Sequence, residues 1–146
     1  LTTRQDWLRN RGEEEAHTLS TLSFHVVHGD YQETNVFFKD GEVSAIIDWD
    51  KVYKAPGAWE IIRTIHLMLS FHPDLTATFL KAYRSRRDVS LDDLDVAAHS
   101  YGLMRAYDLW LFENIYDAGN DRVRKFLHPG SFRPLERDWK QIRSSL

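Results

Sequence analysis

Residues 28–35 read HGDYQETN, and residues 46–50 read IIDWD. Asp30 and Asn35 are five positions apart, so one loop can hold both side chains. Asp48 follows Asp30 by eighteen positions. Carboxylate and amide oxygens are the ligands that Mg²⁺ prefers, and a carboxylate can also accept a proton from a hydroxyl. The two stretches therefore predict a cleft that holds one proton acceptor and two metal ligands.

The chain between these motifs has the pattern of a β-hairpin. Short runs rich in β-branched and aromatic residues predict strands at residues 24–27, 35–38 and 43–47. The pair Asp40-Gly41 favours a tight turn between the second and third of these strands. Asn35 would then begin one strand and Asp48 would end its partner, which places both at the same end of a stiff ribbon.

Together the motifs resemble those of the aminoglycoside phosphotransferase family, whose relatives include choline kinase, homoserine kinase and the protein kinases. The family's His-Gly-Asp, with an Asn five residues after the Asp, is matched at His28, Gly29, Asp30 and Asn35. Its Ile-Asp-Trp/Phe-Asp/Glu motif is matched at Ile47, Asp48, Trp49 and Asp50. These matches lie within about residues 25–65, and their joint spacing is specific.

The resemblance implies that Asp30 is the catalytic base and that Asn35 and Asp48 hold Mg²⁺. It also implies that ATP donates its γ-phosphate to a hydroxyl of a small molecule. Such transfer depends on positioning more than on base strength, so an Asp with an ordinary pKa near 4 is adequate. The acceptor stays open among an aminoglycoside, an amino alcohol, homoserine and a sugar, and the donor stays open between ATP and GTP.

Each motif residue also has a purely structural interpretation. A lone His-Gly-Asp can be a turn in which Gly takes positive φ, and an Asp after an apolar run can simply end a strand at the surface. His28 and Gly29 are expected to support the site by shaping the corner. Asp50 either supports the site or is merely solvated. Asp30, Asn35 and Asp48 together, with the hairpin between them, favour the functional interpretation.

A helix is predicted over residues 58–71, and its composition leaves almost no polar face, so it should be buried on nearly all sides. It contains Glu60 and Arg63. Buried charges need partners, and their spacing allows these two to pair with each other. The family resemblance implies a different role for Glu60, because an acidic residue near this position supports the catalytic loop from below.

The chain from residue 72 onward is predicted to be helical. Asp74 would cap a helix to about residue 86 with Leu75 on its inner face, and Ser90 with Asp93 would form a capping box. This box begins a helix expected to run to about residue 116 and to carry Leu109. Residues 118–120 are expected to break this helix, and a short helix should follow over residues 121–127. A final helix is predicted after Pro129-Gly130, with an apolar stripe of Leu135, Trp139 and Ile142.

The fold class is therefore expected to be α+β, mostly α. We expect a protein-kinase-like C-terminal lobe, in which a small β-hairpin carries the catalytic and metal loop and packs on a helical bundle. The resemblance implies that the helices form the acceptor pocket. Asp108, Trp110 and Glu113 are its candidate lining residues, and a solvated acidic helix face is the alternative.

Composition limits the function classes. The chain has 146 residues, enough for one domain, with a net charge of −3 and a pI near 6.2, which disfavours a nucleic-acid partner. It contains no cysteine and no clustered His pattern, which argues against a zinc or iron–sulfur site. Since no apolar stretch approaches 18 residues, we expect no membrane partner and a cytoplasmic location.

The nucleotide-binding lobe is expected to be absent from residues 1–146. None of the seven glycines forms a Gly-rich phosphate loop, and 27 residues before His28 are too few for an N-terminal lobe. This C-terminal lobe should therefore turn over little alone. The alternative is a stand-alone, non-catalytic module that binds a protein or ligand, with self-association in place of the missing lobe. A Mg²⁺-dependent phosphohydrolase is less favoured, because Asp30 lacks a nearby second Asp.

Overall fold

The computed structural model describes residues 2–9, 19–126 and 132–146. It is a mixed α+β fold and mostly helical. Its helices and strands, in chain order, are α1 (Thr2–Arg9), β1 (Phe24–Val27), β2 (Val36–Lys39), β3 (Glu42–Ile46), β4 (Tyr53–Pro56), α2 (Gly57–Leu67), α3 (Pro73–Arg84), α4 (Leu91–Tyr107), α5 (Trp110–Phe112) and α6 (Leu135–Arg143). Short 3₁₀ turns lie at Leu19–Thr21, Glu33–Asn35, Trp49–Lys51 and Asp121–Phe126, and a π-helical turn at Glu113–Asp117.

The predicted hairpin is formed by β2 and β3, which pair antiparallel from Val36 opposite Ile46 to Lys39 opposite Glu42. Asp40 and Gly41 form the two-residue turn, and both have positive φ, 55° and 83°. Two positive φ values are the signature of the tight turn whose twist matches that of the paired strands. The hairpin prediction is confirmed, although β2 begins one residue after Asn35.

A second sheet was not predicted. β1 pairs antiparallel with β4, so that Phe24 lies opposite Pro56 and Val27 opposite Tyr53. The sequence signal for β4 is weak, because the strand has only four residues and contains Lys54 and Pro56, which are uncommon in strands. This pairing ties the chain after the IIDWD motif to the strand that leads into the HGD motif.

The hydrophobic core lies where α2, α4 and α6 pack together. Its buried members include Ile61, Ile62, Ile65, Leu94, Ala98, Tyr101 and Trp139. The predicted stripe on the last helix is confirmed, since Leu135, Trp139 and Ile142 are all buried. The helix that carries Glu60 and Arg63 is thus anchored in the core and gives those two side chains a fixed base.

The helix predicted over residues 58–71 is shorter than expected, because α2 ends at Leu67. Ser70 and Phe71 take positive φ, and the N–H of Phe71 donates to the carbonyl of Ile65 at 3.2 Å. The Phe71 ring folds back on its own helix and lies 5.8 Å from the His66 ring. Burial of this ring against the core accounts for the early stop.

The third helix begins at Pro73, so the prediction of Asp74 as its N-cap was wrong: His72 occupies the N-cap. Proline at the first helical position is favourable, because its fixed φ suits the helix and its missing N–H is not needed there. Leu75 is exposed, contrary to prediction. Thr76 and Leu80 are the buried residues, four apart on one helix face, and Leu75 lies off that face.

The capping box at the start of α4 is confirmed. The Ser90 hydroxyl accepts the N–H of Asp93 at 2.9 Å, and the Asp93 carboxylate accepts the N–H of Ser90 at 3.4 Å. Two N–H groups that the helix itself leaves without partners are satisfied in this way.

This helix ends at Tyr107, earlier than predicted, and the cause is a distant residue. The Arg4 side chain donates to the carbonyls of Arg105 at 3.0 Å and Asp108 at 2.7 Å, and also to that of Ala106. Arg4 thereby satisfies carbonyls that a helix end leaves open. Leu109, predicted to lie within this helix, follows the break and is exposed.

The end of the described chain contains a short 3₁₀ turn and α6. The short helix predicted over residues 121–127 is found as the 3₁₀ turn Asp121–Phe126. Residue 127 and the Pro129-Gly130 pair lie outside the described residues. Among the parts of the chain that the structure describes, no helix is long and apolar enough to cross a membrane.

Acid is expected to destabilise the fold through His66, whose Nδ1 lies 3.1 Å from the Tyr101 hydroxyl. Burial, aided by Arg105 and Arg63, lowers the pKa of His66 to about 4. The unfolded chain binds a proton there below about pH 6.5 while the folded chain does not, so stability falls between pH 6.5 and 4, by about 3 kcal/mol.

Urea unfolding at pH 7 and pH 4.5 measures this effect. His66→Phe should flatten the pH dependence, because the replacement does not titrate. The exposed His72, replaced by Gln, serves as the control and should leave the dependence unchanged. An equally steep pH dependence in His66→Phe would show that the destabilisation comes from other groups.

Candidate active site

The loop after β1 is held from below by one carboxylate. Glu60, in the first turn of α2, accepts the N–H of His28 at 3.0 Å with one oxygen and the N–H of Gly29 at 2.7 Å with the other. Hydrogen bonds from backbone N–H groups to a carboxylate are among the stronger ones in proteins. The expected alternative, a pair between Glu60 and Arg63, is wrong: within the described chain each of them binds the loop instead.

His28 joins the two sequence motifs. Its ring is buried, its Nδ1 accepts the N–H of Asp30 at 3.2 Å, and its Nε2 donates to the carbonyl of Ile47 at 2.9 Å. The Trp49 ring lies against it, with the ring centroids 4.4 Å apart. One imidazole therefore fixes the HGD corner relative to the IIDWD segment.

Asp30 is buried, and both of its carboxylate oxygens contact a cation. Arg63 Nη2 donates to Oδ1 at 2.7 Å, and Lys51 Nζ donates to Oδ2 at 3.1 Å. Burial favours the neutral acid, but the hydrogen bonds from Lys51 and Arg63 outweigh it, so the pKa of Asp30 lies below its ordinary value. The carboxylate is therefore ionised at neutral pH.

Asn35 is in direct contact with Asp30. Its side-chain Nδ2 donates to the carbonyl of Asp30 at 2.9 Å, and its own carbonyl accepts the N–H of Ile47 at 3.0 Å. The amide oxygen of Asn35 receives a long hydrogen bond of 3.4 Å from the Thr34 hydroxyl. With its nitrogen turned toward Asp30, this side chain has its oxygen available as a ligand.

Asp48 follows Ile47 directly and is exposed at the end of the hairpin. Its backbone is left-handed, with φ 63° and ψ 57°. Such a conformation is uncommon for residues other than Gly and often occurs at functional sites. Asp48 is thus joined to Asn35 and His28 through the backbone of Ile47, whereas Asp50 lies exposed on the next 3₁₀ turn.

The oxygens of Asn35 and Asp48 are suited to a hard cation such as Mg²⁺. Within residues 2–9, 19–126 and 132–146, no group of three or more His, Cys, Asp or Glu could hold a metal. Mg²⁺ commonly takes one or two protein oxygens and completes its shell with water and substrate phosphates. A sparse donor set of this kind fits that mode of binding.

Two cations at this site, Arg63 and Lys51, were not assigned to it from the sequence. Arg63 carried a signal, since a charge on a buried helix requires a partner, but its spacing from Glu60 suggested the wrong one. Lys51 carried no signal, because a Lys in a polar turn is ordinarily solvated.

The candidate acceptor residues lie at the start of the helical region after α4. Both Asp108 carboxylate oxygens have structural partners, namely Arg105 Nη1 at 2.7 Å and the N–H of Trp110 at 3.1 Å. Trp110 and Glu113 are exposed. A separate cavity of about 560 Å³ lies between β1, α2 and α3, and its lining includes Tyr31 and Glu60. That volume suits a small molecule.

Replacing Glu60 by Gln tests the support of the loop. The amide offers one acceptor oxygen to two loop N–H groups, so we expect a loss of about 1–3 kcal/mol in the free energy of unfolding, measured in urea. Glu33→Gln, an exposed change in the same loop, is the matched control and should stay within about 0.5 kcal/mol. Equal stabilities for the two variants would contradict the supporting role.

A protein-family model described as the phosphotransferase enzyme family matches residues 2–98. The match includes the loop, the hairpin and the whole of α2. The chain belongs to this family of aminoglycoside phosphotransferase-like proteins, as the sequence motifs predicted. Membership implies a kinase-like fold and a phosphotransferase activity. No curated protein matches the chain, and no solved structure matches it either.

Proposed function

We propose that this protein transfers the γ-phosphoryl group of ATP, bound with Mg²⁺, to a hydroxyl of a small molecule. The observation that supports this most is the placement of Asp30: a buried, ionised carboxylate in a loop fixed by Glu60, in contact with Asn35 at the end of the hairpin. Phosphoryl transfer asks the protein mainly for positioning and charge stabilisation, and the hydrogen bonds that hold this loop support the first of these.

In the proposed reaction, Asp30 orients the acceptor hydroxyl and takes its proton. The hydroxyl oxygen forms a bond to the γ-phosphorus, the bond from that phosphorus to the bridging oxygen breaks, and ADP leaves with the bonding electrons. Asn35 and Asp48 would hold Mg²⁺, which when bound neutralises charge on the phosphates. Because the pKa of Asp30 is lowered, the carboxylate is ionised at neutral pH and can accept a hydrogen bond from the acceptor hydroxyl.

The acceptor remains one of four classes: aminoglycosides, amino alcohols, homoserine or sugars. Trp110 and Glu113 are the remaining candidate contacts, since Asp108 is engaged by Arg105. The proposed setting is the cytoplasm, where ATP and Mg²⁺ are available.

The test is an acceptor screen with the full natural gene product, ATP or GTP, and Mg²⁺. ADP or GDP release is measured, and mass spectrometry looks for an acceptor heavier by one phosphate. We expect activity that a metal chelator removes. A screen that yields no phosphorylated product with any acceptor class would contradict the proposed kinase activity.

One observation favours the second candidate, a non-catalytic binding module. Several large apolar side chains are exposed on and after the hairpin: Phe37, Phe38, Val43, Trp49, Val52 and Tyr53. Exposed apolar side chains that form one contiguous surface can mark an interaction site. In the kinase proposal its partner is the N-terminal lobe, whereas a module would use it for a protein or a second copy. Light scattering decides: self-association of the full gene product, without phosphoryl transfer, would favour the module.

A further inference from the structure

The two cations that contact Asp30 differ in how firmly they are held. The Arg63 side chain is 17% exposed and the Lys51 side chain is 67% exposed. Arg63 extends from α2, where its neighbours Ile62 and Ile65 are fully buried. Lys51 extends from the exposed 3₁₀ turn after the hairpin. One cation is therefore anchored in the core, and the other lies at the surface.

Arg63 makes a second contact that fixes its direction. Its Nη1 donates to the carbonyl of Tyr31 at 2.9 Å while its Nη2 donates to Asp30 Oδ1 at 2.7 Å. Because the guanidinium is planar, two such bonds hold its plane, and with it the rotation of the Asp30 carboxylate. The same group also fixes the backbone directly after Asp30.

Lys51 has the opposite character. A lysine ammonium is a strongly hydrated point charge on a flexible stem, and an ion pair with a largely exposed partner contributes little stability. Its single bond to Oδ2 can therefore be exchanged for water or for another anion. The phosphates of an arriving nucleotide are anions of the kind that would attract it.

We propose that Arg63 is the positioning residue of the Asp30 carboxylate, holding Oδ1 so that Oδ2, once Lys51 has left it, faces the acceptor hydroxyl. This inference rests on the proposed function. In the transfer step the acceptor proton goes to Oδ2, the acceptor oxygen bonds to the γ-phosphorus, and ADP leaves with the electrons of the broken bond. Arg63 gains and loses no proton and acts only through Asp30.

The test compares Arg63→Met, Arg63→Lys and Lys51→Met in the full gene product. Arg63→Met should lower kcat about 100-fold, since small displacements of a reacting group cost this much, while KM for nucleotide and acceptor changes less than about threefold. Arg63→Lys should keep the fold and lie between Arg63→Met and wild type in kcat. Lys51→Met should lower kcat less than Arg63→Met does, because Arg63 still holds Oδ1. The exposed Arg84, replaced by Met, is the matched control and should behave as wild type.

A small-molecule rescue separates positioning from folding. Added guanidinium at millimolar concentration should restore part of the activity of Arg63→Ala, because it can occupy the place of the lost group. A loss in Lys51→Met as large as in Arg63→Met would overturn the division of roles. So would an effect of Arg63→Met on KM alone.

A crystal structure of Arg63→Met gives a readout that needs no acceptor. The Asp30 carboxylate should rotate toward Lys51 in that variant and stay in place in Lys51→Met. An unrotated carboxylate in Arg63→Met would overturn the inference even if the kinase activity is found. A rotated carboxylate in a protein that transfers no phosphate would support the positioning by Arg63 and contradict only the proposed function.

Discussion

Replacing Asp30 by Asn is expected to lower the kcat of phosphoryl transfer by about 10³-fold, within the range for loss of a proton-accepting group. The amide has nearly the same shape, and its oxygen can still accept a bond from Arg63, so the loop should keep its course. It cannot take the acceptor proton, and it presents no negative charge to Lys51. The measurement is steady-state kinetics of the full gene product, with circular dichroism to verify the fold.

Asp50→Asn provides the control for Asp30→Asn, because Asp50 is an exposed carboxylate two residues after Asp48. Asp50→Asn should retain activity within about threefold if its side chain is simply solvated. A larger loss would indicate that Asp50 supports the site, which is the alternative left open by the sequence. Retention of more than a tenth of the wild-type kcat in Asp30→Asn would contradict the role of Asp30 as the base.

Local signals were enough to predict the parts of the fold that depend on neighbouring residues. The turn at Asp40 and Gly41 follows from the backbone preferences of that pair, and the strands on either side follow from their β-branched residues. The box of Ser90 and Asp93 likewise follows from a spacing of three residues. In each case the interacting groups lie within a few positions of each other.

Two of the errors arose where distant residues decide the structure. The end of α4 depends on Arg4, about a hundred residues earlier in the chain, and no local pattern near Tyr107 reveals this contact. The strand β4 exists because it pairs with β1, and two of its four residues, Lys54 and Pro56, are poor strand formers. Long-range partners such as these override local propensity.

In the candidate site, too, a contact between near neighbours could be predicted, whereas contacts between distant residues could not. Asp30 and Asn35 could be identified from their spacing, and the structure brings them into contact. The partners of Glu60 and Arg63 could not be identified from the sequence, because a spacing of three residues on a helix favours a pair between these two side chains. Packing of α2 beneath the loop directs both side chains toward the loop instead, and that packing is a property of the whole core.

Replacing Gly29 by Ala is expected to disrupt the loop. Gly29 has φ 78°, and a Cβ at this position would lie 2.0 Å from the carbonyl oxygen of Lys51, closer than atoms can approach. The strained φ alone costs about 1–2 kcal/mol. Because the clashing atom belongs to the backbone, either the loop or the turn at Lys51 must also move. We expect a total loss of roughly 3–5 kcal/mol in unfolding free energy.

The same displacement should reach the chemistry, since Asp30 directly follows Gly29 and Lys51 contacts its carboxylate. A shift of about 1 Å at such a site costs about 10²-fold in rate, so kcat should fall at least that far. Gly41→Ala is the matched control: Gly41 has a similar φ of 83°, but nothing lies within 4 Å of its added Cβ. The difference between the two variants in urea unfolding therefore isolates the clash from the conformational cost. If the two variants lose the same stability, the loop accommodates a Cβ at Gly29, and the nearby carbonyl of Lys51 does not constrain the position of the loop.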